Sequence, residues 1–386
     1  MKNFQTFAAA AASALLLNAC NGSSGNDTAD VALYSTKEAL GAALFFDTNL
    51  SFNRTQSCAT CHNPEHSFID DRENIVEGAV SLGDNGTSLG ERNAPTAAYA
   101  KFSPHFSLTG AHPKGGQFLD GREDDLKGQA GGPPTNPIEM GMPSKAATVT
   151  RIEENSDYVD AFKQLYGDAV FSDAESAYAA MAESIAKFEK TELFAPFDSK
   201  YDRYLQGEYT MTSQEELGMA LFFSEANTNC ATCHQLNSQS ETAKETFSSY
   251  EFHNIGVPPN TDLYSANTPL AGGVIDDGLF RNPAVSDEAH KGKFKTPTLR
   301  NIAVTGPYMH NGVFRGLRTV IEFYDHMGSG DRPENPETGL PWGDPETNAT
   351  VNRTDLSMPA LTDTKIDALV AFLKTLTDKR YEQLLE

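Results

Sequence analysis

Cysteine is scarce in this chain, at five residues in 386, and tryptophan occurs once. So few thiols exclude the dense disulfide framework that staples small secreted domains, and stability must come from buried apolar surface and bound groups. Basic residues are also short: 30 Lys and Arg stand against 53 Asp and Glu, a formal net charge of −23. That balance argues against a nucleic-acid or anionic-lipid partner. It is compatible with a solvated acidic surface or with steering of a basic partner protein. Beyond the N-terminus there is no hydrophobic run long enough to span a bilayer, so the body of the chain is expected to be water-soluble. Hydrophobic residues still make up 39%, enough for real cores, and the length suggests two to three domains. Gly (30) and Pro (20) are plentiful, which predicts long loops.

The one apolar run, Phe7 to Leu17, follows Lys2 and is too short for a spanning helix. It reads as a secretory signal over residues 1–19. The run ends Leu17-Asn18-Ala19-Cys20, the order of a bacterial lipobox, in which Cys20 takes a lipid and becomes the first mature residue. The competing reading is an ordinary signal in which Cys20 is incidental. The polar stretch after it fits a flexible tether over 20–33. Asn21 following the cysteine fits sorting to the outer membrane, so an outer-membrane lipoprotein, periplasmic or cell-surface, is expected.

Set Cys20 aside and four cysteines remain, in two identical runs: Cys58-Ala-Thr-Cys61-His62 and Cys230-Ala-Thr-Cys233-His234. C-x-x-C-H is the attachment signature of a c-type haem. Two thiols form thioethers with the macrocycle, and the adjacent histidine ligates iron through a neutral ring nitrogen. Four cysteines in pairs also suit a zinc site. Against zinc stand the histidine after each pair and the same helix before each: Leu40-Gly-Ala-Ala-Leu-Phe-Phe46 and Leu217-Gly-Met-Ala-Leu-Phe-Phe223. Each helix is preceded by a capping-box pattern, Ser35-x-x-Glu38 and Thr212-x-x-Glu215. The chain therefore contains a duplicated unit of helix, loop and haem site.

The first unit, 34–205, closes with a helical pattern over Asp173–Leu193, opened by Ser172-x-x-Glu175; the second, 206–386, closes with Thr362–Thr377. A closing helix after each haem turn predicts a mostly α fold of two tandem cytochrome c-like domains. Three Gly/Pro-rich stretches, Asp71–Arg92, Lys101–Met142 and Pro258–Lys295, are read as loops that wall the haem edges.

An ordered series of further motifs runs along nearly the whole mature chain: Arg92-Asn-Ala-Pro-Thr96, Gln117-Phe-Leu-Asp-Gly-Arg122, Gln129-Ala130, Asn136-Pro-Ile-Glu-Met140, Thr296-Pro-Thr-Leu-Arg-Asn301 and Pro307-Tyr-Met-His-Asn-Gly312. With the two haem turns, this series resembles the bacterial di-haem cytochrome c peroxidases and, within them, the MauG-like branch. The resemblance implies that the N-terminal haem, over His62, is the peroxidatic one. In typical members a histidine from the loop before the Arg-Asn-Ala-Pro motif blocks its distal face. Here that loop, Ser81–Arg92, has no histidine, so an open iron is expected unless His66 or His105 fills the place. The resemblance makes Gln129 and Glu139 the distal pair. Peroxide cleavage needs a group that takes a proton from one oxygen and returns it to the other, which a carboxyl in a dry pocket can do. Glu139 could otherwise be a surface acid.

For the C-terminal haem, over His234, the family's spacing puts the sixth ligand at Tyr324, with Met327, His326 and Met309 as rivals. A phenolate is anionic and hard and favours ferric and higher states; a thioether favours ferrous iron. The resemblance also implies a Ca²⁺ between the haems, held by the Asn93 side chain and the backbone oxygens of Thr305 and Pro307; Asn93 could instead be a turn former beside Pro95. One departure stands out. Where the family has a Trp relay between haems, this chain has Leu119, and among nearby rings Tyr99 is the oxidisable one. The expected activity is H2O2 reduction, with electrons from a small redox protein such as a cytochrome c or cupredoxin, or from a protein substrate. The alternative is a di-haem electron carrier without turnover. The remaining histidines, His112, His253, His290 and His310, are read as structural.

Overall fold

A computed structural model of the chain describes residues 33–109, 112–236, 244–267 and 274–385. The signal segment, Cys20 and the tether up to residue 32 lie outside the described residues. From Leu33 onward the chain is one compact unit. It is mostly helical, as expected. In chain order the helices are α1 Lys37–Phe45, α2 Cys58–Cys61, α3 Leu126–Ala130, α4 Lys145–Glu153, α5 Ser156–Tyr166, α6 Ala174–Glu189 and α7 Lys200–Leu205. They continue with α8 Ser213–Phe222, α9 Cys230–Cys233, α10 Thr261–Ala266, α11 Leu317–Ser329, α12 Arg353–Leu356 and α13 Asp363–Lys374. Strands are minimal: β1 (Phe252–His253) pairs antiparallel with β2 (Phe294–Lys295), and Glu334–Asn335 with Leu340–Pro341. Among the described residues no helix is long and apolar enough to cross a membrane.

The duplication is physical. α1 packs on α6, and α8 packs on α13 in the same way. In both pairs the glycine of the repeated Leu-Gly-x-Ala-Leu-Phe-Phe run lies at the crossing. A Cβ on Gly41 would sit 1.9 Å from the Ser184 carbonyl oxygen, and one on Gly218 would sit 1.9 Å from that of Ala368. Backbone thus touches backbone at each crossing, which only glycine permits. The phenylalanines that follow fill the two cores. Phe45, fully buried, meets Phe188 and Phe194 edge-on, and Phe222 packs on Phe247 and Phe372. One apolar cluster runs from Leu40 to Ala195, and the second from Tyr201, within α7, to Leu376.

The helix starts differ from the sequence reading at two caps. The α1 cap is Thr36, whose hydroxyl accepts from the Ala39 N–H at 3.1 Å, so the Ser35/Glu38 box does not form. The α6 cap is Asp173, which accepts from Ser176 at 2.8 Å, and not Ser172. In each case the neighbouring residue is an equally good cap, and tertiary packing of the helix sets the register. The Thr212/Glu215 box forms in both directions, and Thr362 caps α13. The described residues of the three Gly/Pro-rich stretches are largely irregular, broken by α3, α10, β2 and short 3₁₀ turns.

Candidate functional site

Each haem-attachment run forms one helical turn. The x-x spacing puts Cys58 and Cys61, and likewise Cys230 and Cys233, at i and i+3 on one face of α2 and α9. The histidine that follows ends the turn. The His62 N–H donates to the Cys58 carbonyl and the His234 N–H to that of Cys230, both at 2.9 Å. The imidazoles are then fixed by the main chain. His62 Nδ1 lies 3.1 Å from the Phe68 carbonyl oxygen, and His234 Nδ1 lies 2.9 Å from that of Phe247. Nδ1–H donated to a carbonyl leaves Nε2 as the lone-pair nitrogen, the tautomer an iron needs. Both phenylalanines are fully buried and hold left-handed backbone, with φ near 55°, a region costly for a bulky residue. Burial lowers the pKa of both histidines, His234 to about 4, so each is neutral at pH 7. Two thiols, a neutral imidazole and apolar surroundings fit a covalently bound haem at each turn.

The C-terminal turn opens on a cavity of about 340 Å³. Cys230, Cys233 and His234 line it, together with one face of α11: Leu317, Val320, Ile321 and Tyr324. That face follows the i, i+3, i+4, i+7 stripe of a helix. Tyr324 therefore shares the cavity with His234, and burial beside the two cysteine sulfurs pushes its phenol upward. The rivals differ. His326 stacks on Trp342 at 5.8 Å, with Nδ1 3.2 Å from the Asp331 carbonyl oxygen. Met327 packs against Gly256 and does not line the cavity, whereas Met309 does.

At the N-terminal turn, Glu139 is largely buried, and burial raises its pKa against the opposing pull of Arg122 and an Asn136 hydrogen bond. Its charge contributes weakly to the field at Cys61, after those of Asp70 and Arg72. The Glu139 carbonyl accepts from the Asp84 N–H at 2.7 Å, which ties it to the histidine-free loop. Gln129 is half-buried on α3, which packs against Pro133–Thr135, the turn leading to Glu139. His66 and His105 are 43% and 75% exposed and face Asp71 and Asp124, at 3.4 and 2.6 Å.

Asn93 Nδ2 donates to the Ala79 carbonyl at 3.0 Å, which leaves Oδ1 to accept. Asn93 and Thr305, with Asp70 and Gly306, line a pocket of about 10 Å³, the size of one water or ion. Asn93, Thr305 and Pro307 also share the wall of the large cavity. Among the described residues there is no group of three or more His, Cys, Asp or Glu that could hold a metal. A cation here would meet the Asn93 amide oxygen, backbone oxygens and the neighbouring Asp70, a hard oxygen donor set that suits calcium.

Two residues at the large cavity carry more than the sequence suggests, His253, expected to be structural, and Lys295, which no motif marks. His253 and Lys295 lie on β1 and β2 and both line it. His253 Nε2 is buried without a hydrogen bond. Lys295, pushed down to about 7 by burial, donates to the Gly116 carbonyl and to Ser103 Oγ. Nothing local marks these two; a short strand pairing between distant segments brings them in. His310 behaves as expected, with Nε2 3.1 Å from Glu346 and its ring stacked on Phe294 at 3.8 Å.

Comparison with known proteins agrees with this geometry. Residues 35–210 match the family model for di-haem cytochrome c peroxidase. The chain is 50% identical over 354 residues to the methylamine utilization protein MauG of Paracoccus denitrificans, covering 90% of each. It is 32% identical to the cytochrome c551 peroxidase of Nitrosomonas europaea, over 88% of this chain and 79% of that one. Among solved structures, the diheme peroxidase BthA of Burkholderia thailandensis superposes with a TM-score of 0.79 at 32% identity, over 91% and 88% of the two chains. With two equivalent haem-binding turns in one helical body and these relatives along nearly its full length, the chain belongs to the di-haem cytochrome c peroxidase and MauG family, and is an oxidoreductase whose family membership implies two c-type haems.

Proposed function

We propose that this chain reduces hydrogen peroxide at an open N-terminal haem and shares the oxidising equivalents with a C-terminal haem ligated by Tyr324. The carrying observation is Glu139: a carboxyl whose pKa burial raises, tied through its own backbone carbonyl to the histidine-free loop, while His66 and His105 are exposed and face Asp71 and Asp124. Haem iron, when bound, supplies the electrons that cleave the peroxide bond. Glu139 accepts the proton of one peroxide oxygen and returns it to the other, so that water leaves. Arg122 and Asn136 keep its ionised form within reach. Gln129 orients the oxidant.

The electron source is a small redox protein or, in the MauG-like manner, a residue of a protein substrate. Tyr324 favours the second, because a hard anionic oxygen stabilises oxidised iron. The 50% identity to a protein named for methylamine utilization points the same way. Asn93, Thr305 and Pro307 hold a calcium ion between the haem sites. The chain works as two haem domains, 34–205 and 206–386, on an outer-membrane lipid anchor at Cys20.

The test is the ferric spectrum of the holoprotein with added peroxide or cyanide. A high-spin signal that shifts supports the reading; two inert low-spin haems would leave only an electron carrier. Glu139→Gln should slow peroxide turnover by roughly 10²- to 10⁴-fold, the usual worth of general acid–base catalysis. Unchanged turnover removes Glu139 from the mechanism.

A further inference from the structure

Four tyrosines line the large cavity: Tyr99, Tyr250, Tyr308 and Tyr324. Their hydroxyl partners differ in kind. Tyr250 donates to the Thr246 hydroxyl at 2.7 Å and Tyr308 to the Ile302 carbonyl at 2.9 Å, neither of them a base that could keep a proton. Tyr324 is the ligand candidate. Tyr99 alone of the four donates to a carboxylate, Asp378 Oδ1, at 2.5 Å. Asp378 is fully buried and held from its other side, with Oδ2 accepting from Asn301 Nδ2 at 2.8 Å.

The location is as informative as the partner. Tyr99 is 1% exposed and belongs to the apolar cluster of the N-terminal half, yet its side chain lines the cavity of the C-terminal haem turn. Toward the first turn the connection is short. The Ala97 N–H donates at 3.2 Å to the Phe68 carbonyl, the same oxygen that faces His62 Nδ1. Toward the second turn, the Arg300 guanidinium carbon lies 5.6 Å from the Tyr99 ring centroid and 5.4 Å from that of Phe247, whose carbonyl faces His234. The Arg300 charge is cancelled by two hydrogen bonds to Asp202, at 2.6 and 3.0 Å. The other rings packed on Tyr99 are Phe102 and Phe197, which are harder to oxidise than a phenol, and position 119 is a saturated leucine.

We propose that Tyr99 is a redox relay between the two haem sites, giving up an electron while its phenolic proton moves to Asp378. The step balances: the phenol loses one electron to a haem site oxidised by peroxide and one proton to Asp378 Oδ1, leaving a neutral phenoxyl radical. The external donor's electron and the returning proton restore the phenol. Burial dictates the coupling. A radical cation or a phenolate in this dry site would be an unpaired charge, costly to hold, and burial indeed keeps the phenol well above its ordinary pKa. Only the neutral radical avoids that cost, and it requires the carboxylate that is there.

The inference rests on the peroxidase reading, so the experiment separates the two. Holoprotein without reductant is mixed with H2O2, freeze-quenched and examined by EPR, with ordinary and with ring-deuterated tyrosine. In parallel, the oxidation is driven by a flash-generated ruthenium(III) complex, which needs no peroxide chemistry. The expected result is a radical whose hyperfine structure narrows on tyrosine deuteration. It is lost in Tyr99→Phe, kept in Tyr250→Phe, and lost in Asp378→Asn, which keeps the shape and removes the proton acceptor. Haem content and ferric spectra of the variants should match the parent, which a purely structural role for Tyr99 would not predict together with loss of the radical. A tyrosyl signal that survives in Tyr99→Phe, or its absence from the parent in both arms, overturns the relay. Haem spectra inert to peroxide overturn the peroxidase reading, while the flash arm still decides the fate of Tyr99.

Discussion

Replacing Gly218 with alanine separates two opposing effects whose signs differ. Within a helix, alanine is better than glycine by about 1 kcal/mol, so propensity alone predicts a more stable protein. The crossing predicts the reverse. The new methyl would lie 1.9 Å from the Ala368 carbonyl oxygen and 2.8 Å from Phe372 Cβ, and ordinary contact begins at 3.4 Å. α8 and α13 would have to part by about 1.5 Å, the difference of those two distances. A backbone carbonyl inside a helix cannot rotate aside, so the cost belongs at the top of the usual overpacking range, about 3 kcal/mol. A gap of that width also forfeits more than half of the dispersion energy along the seam. The net expectation is a loss of roughly 2 kcal/mol or more, read as a lower urea midpoint of the holoprotein. Gly41→Ala at the α1–α6 crossing should behave alike, since its methyl meets the Ser184 oxygen at the same 1.9 Å. A midpoint that rises for both variants would refute the backbone-contact account of the duplicated helices.

Three further outcomes are expected. Tyr324→Phe should change the ferric spectrum of the C-terminal haem while leaving the N-terminal one as it was; if nothing moves, Met309, which also lines the cavity, is the next ligand to test. Chelation of calcium should alter the exchange of electrons between the haems and be reversed by added Ca²⁺, and a protein indifferent to chelator contains no such ion. Glu189 is buried near Cys58, and burial lifts its pKa to about 8. The folded state then holds a proton that the unfolded state releases at ordinary carboxyl pKa, so stability should fall as pH rises from the mid-4 range through about 8. Glu189→Gln should flatten that slope in pH-dependent urea melts, and a parent protein with no such slope argues against the buried acid.

Sequence pattern was most informative where the physics is local. The cysteine spacing fixes one helical turn, and the apolar run after each glycine builds one core, so both haem turns and their preceding helices were legible. The caps of α1 and α6 were misplaced by one residue because Ser35 and Thr36, or Ser172 and Asp173, cap equally well in isolation. Glu139 carries no local mark of burial, and only its place in the motif series pointed to it. His253 and Lys295 were unreadable for a different reason. Each enters the cavity through the pairing of Phe252–His253 with Phe294–Lys295, a contact between segments some forty residues apart. The left-handed phenylalanines at 68 and 247 were equally hidden, because nothing about a phenylalanine suggests that conformation.

Those two phenylalanines make the iron-facing imidazoles unusually hard to retune by mutation. The acceptor at each is an amide oxygen, present whatever side chain occupies the position, and it neither gains nor loses a proton anywhere in the accessible pH range. Drift at 68 or 247 can loosen the fold but cannot delete the partner of His62 or His234.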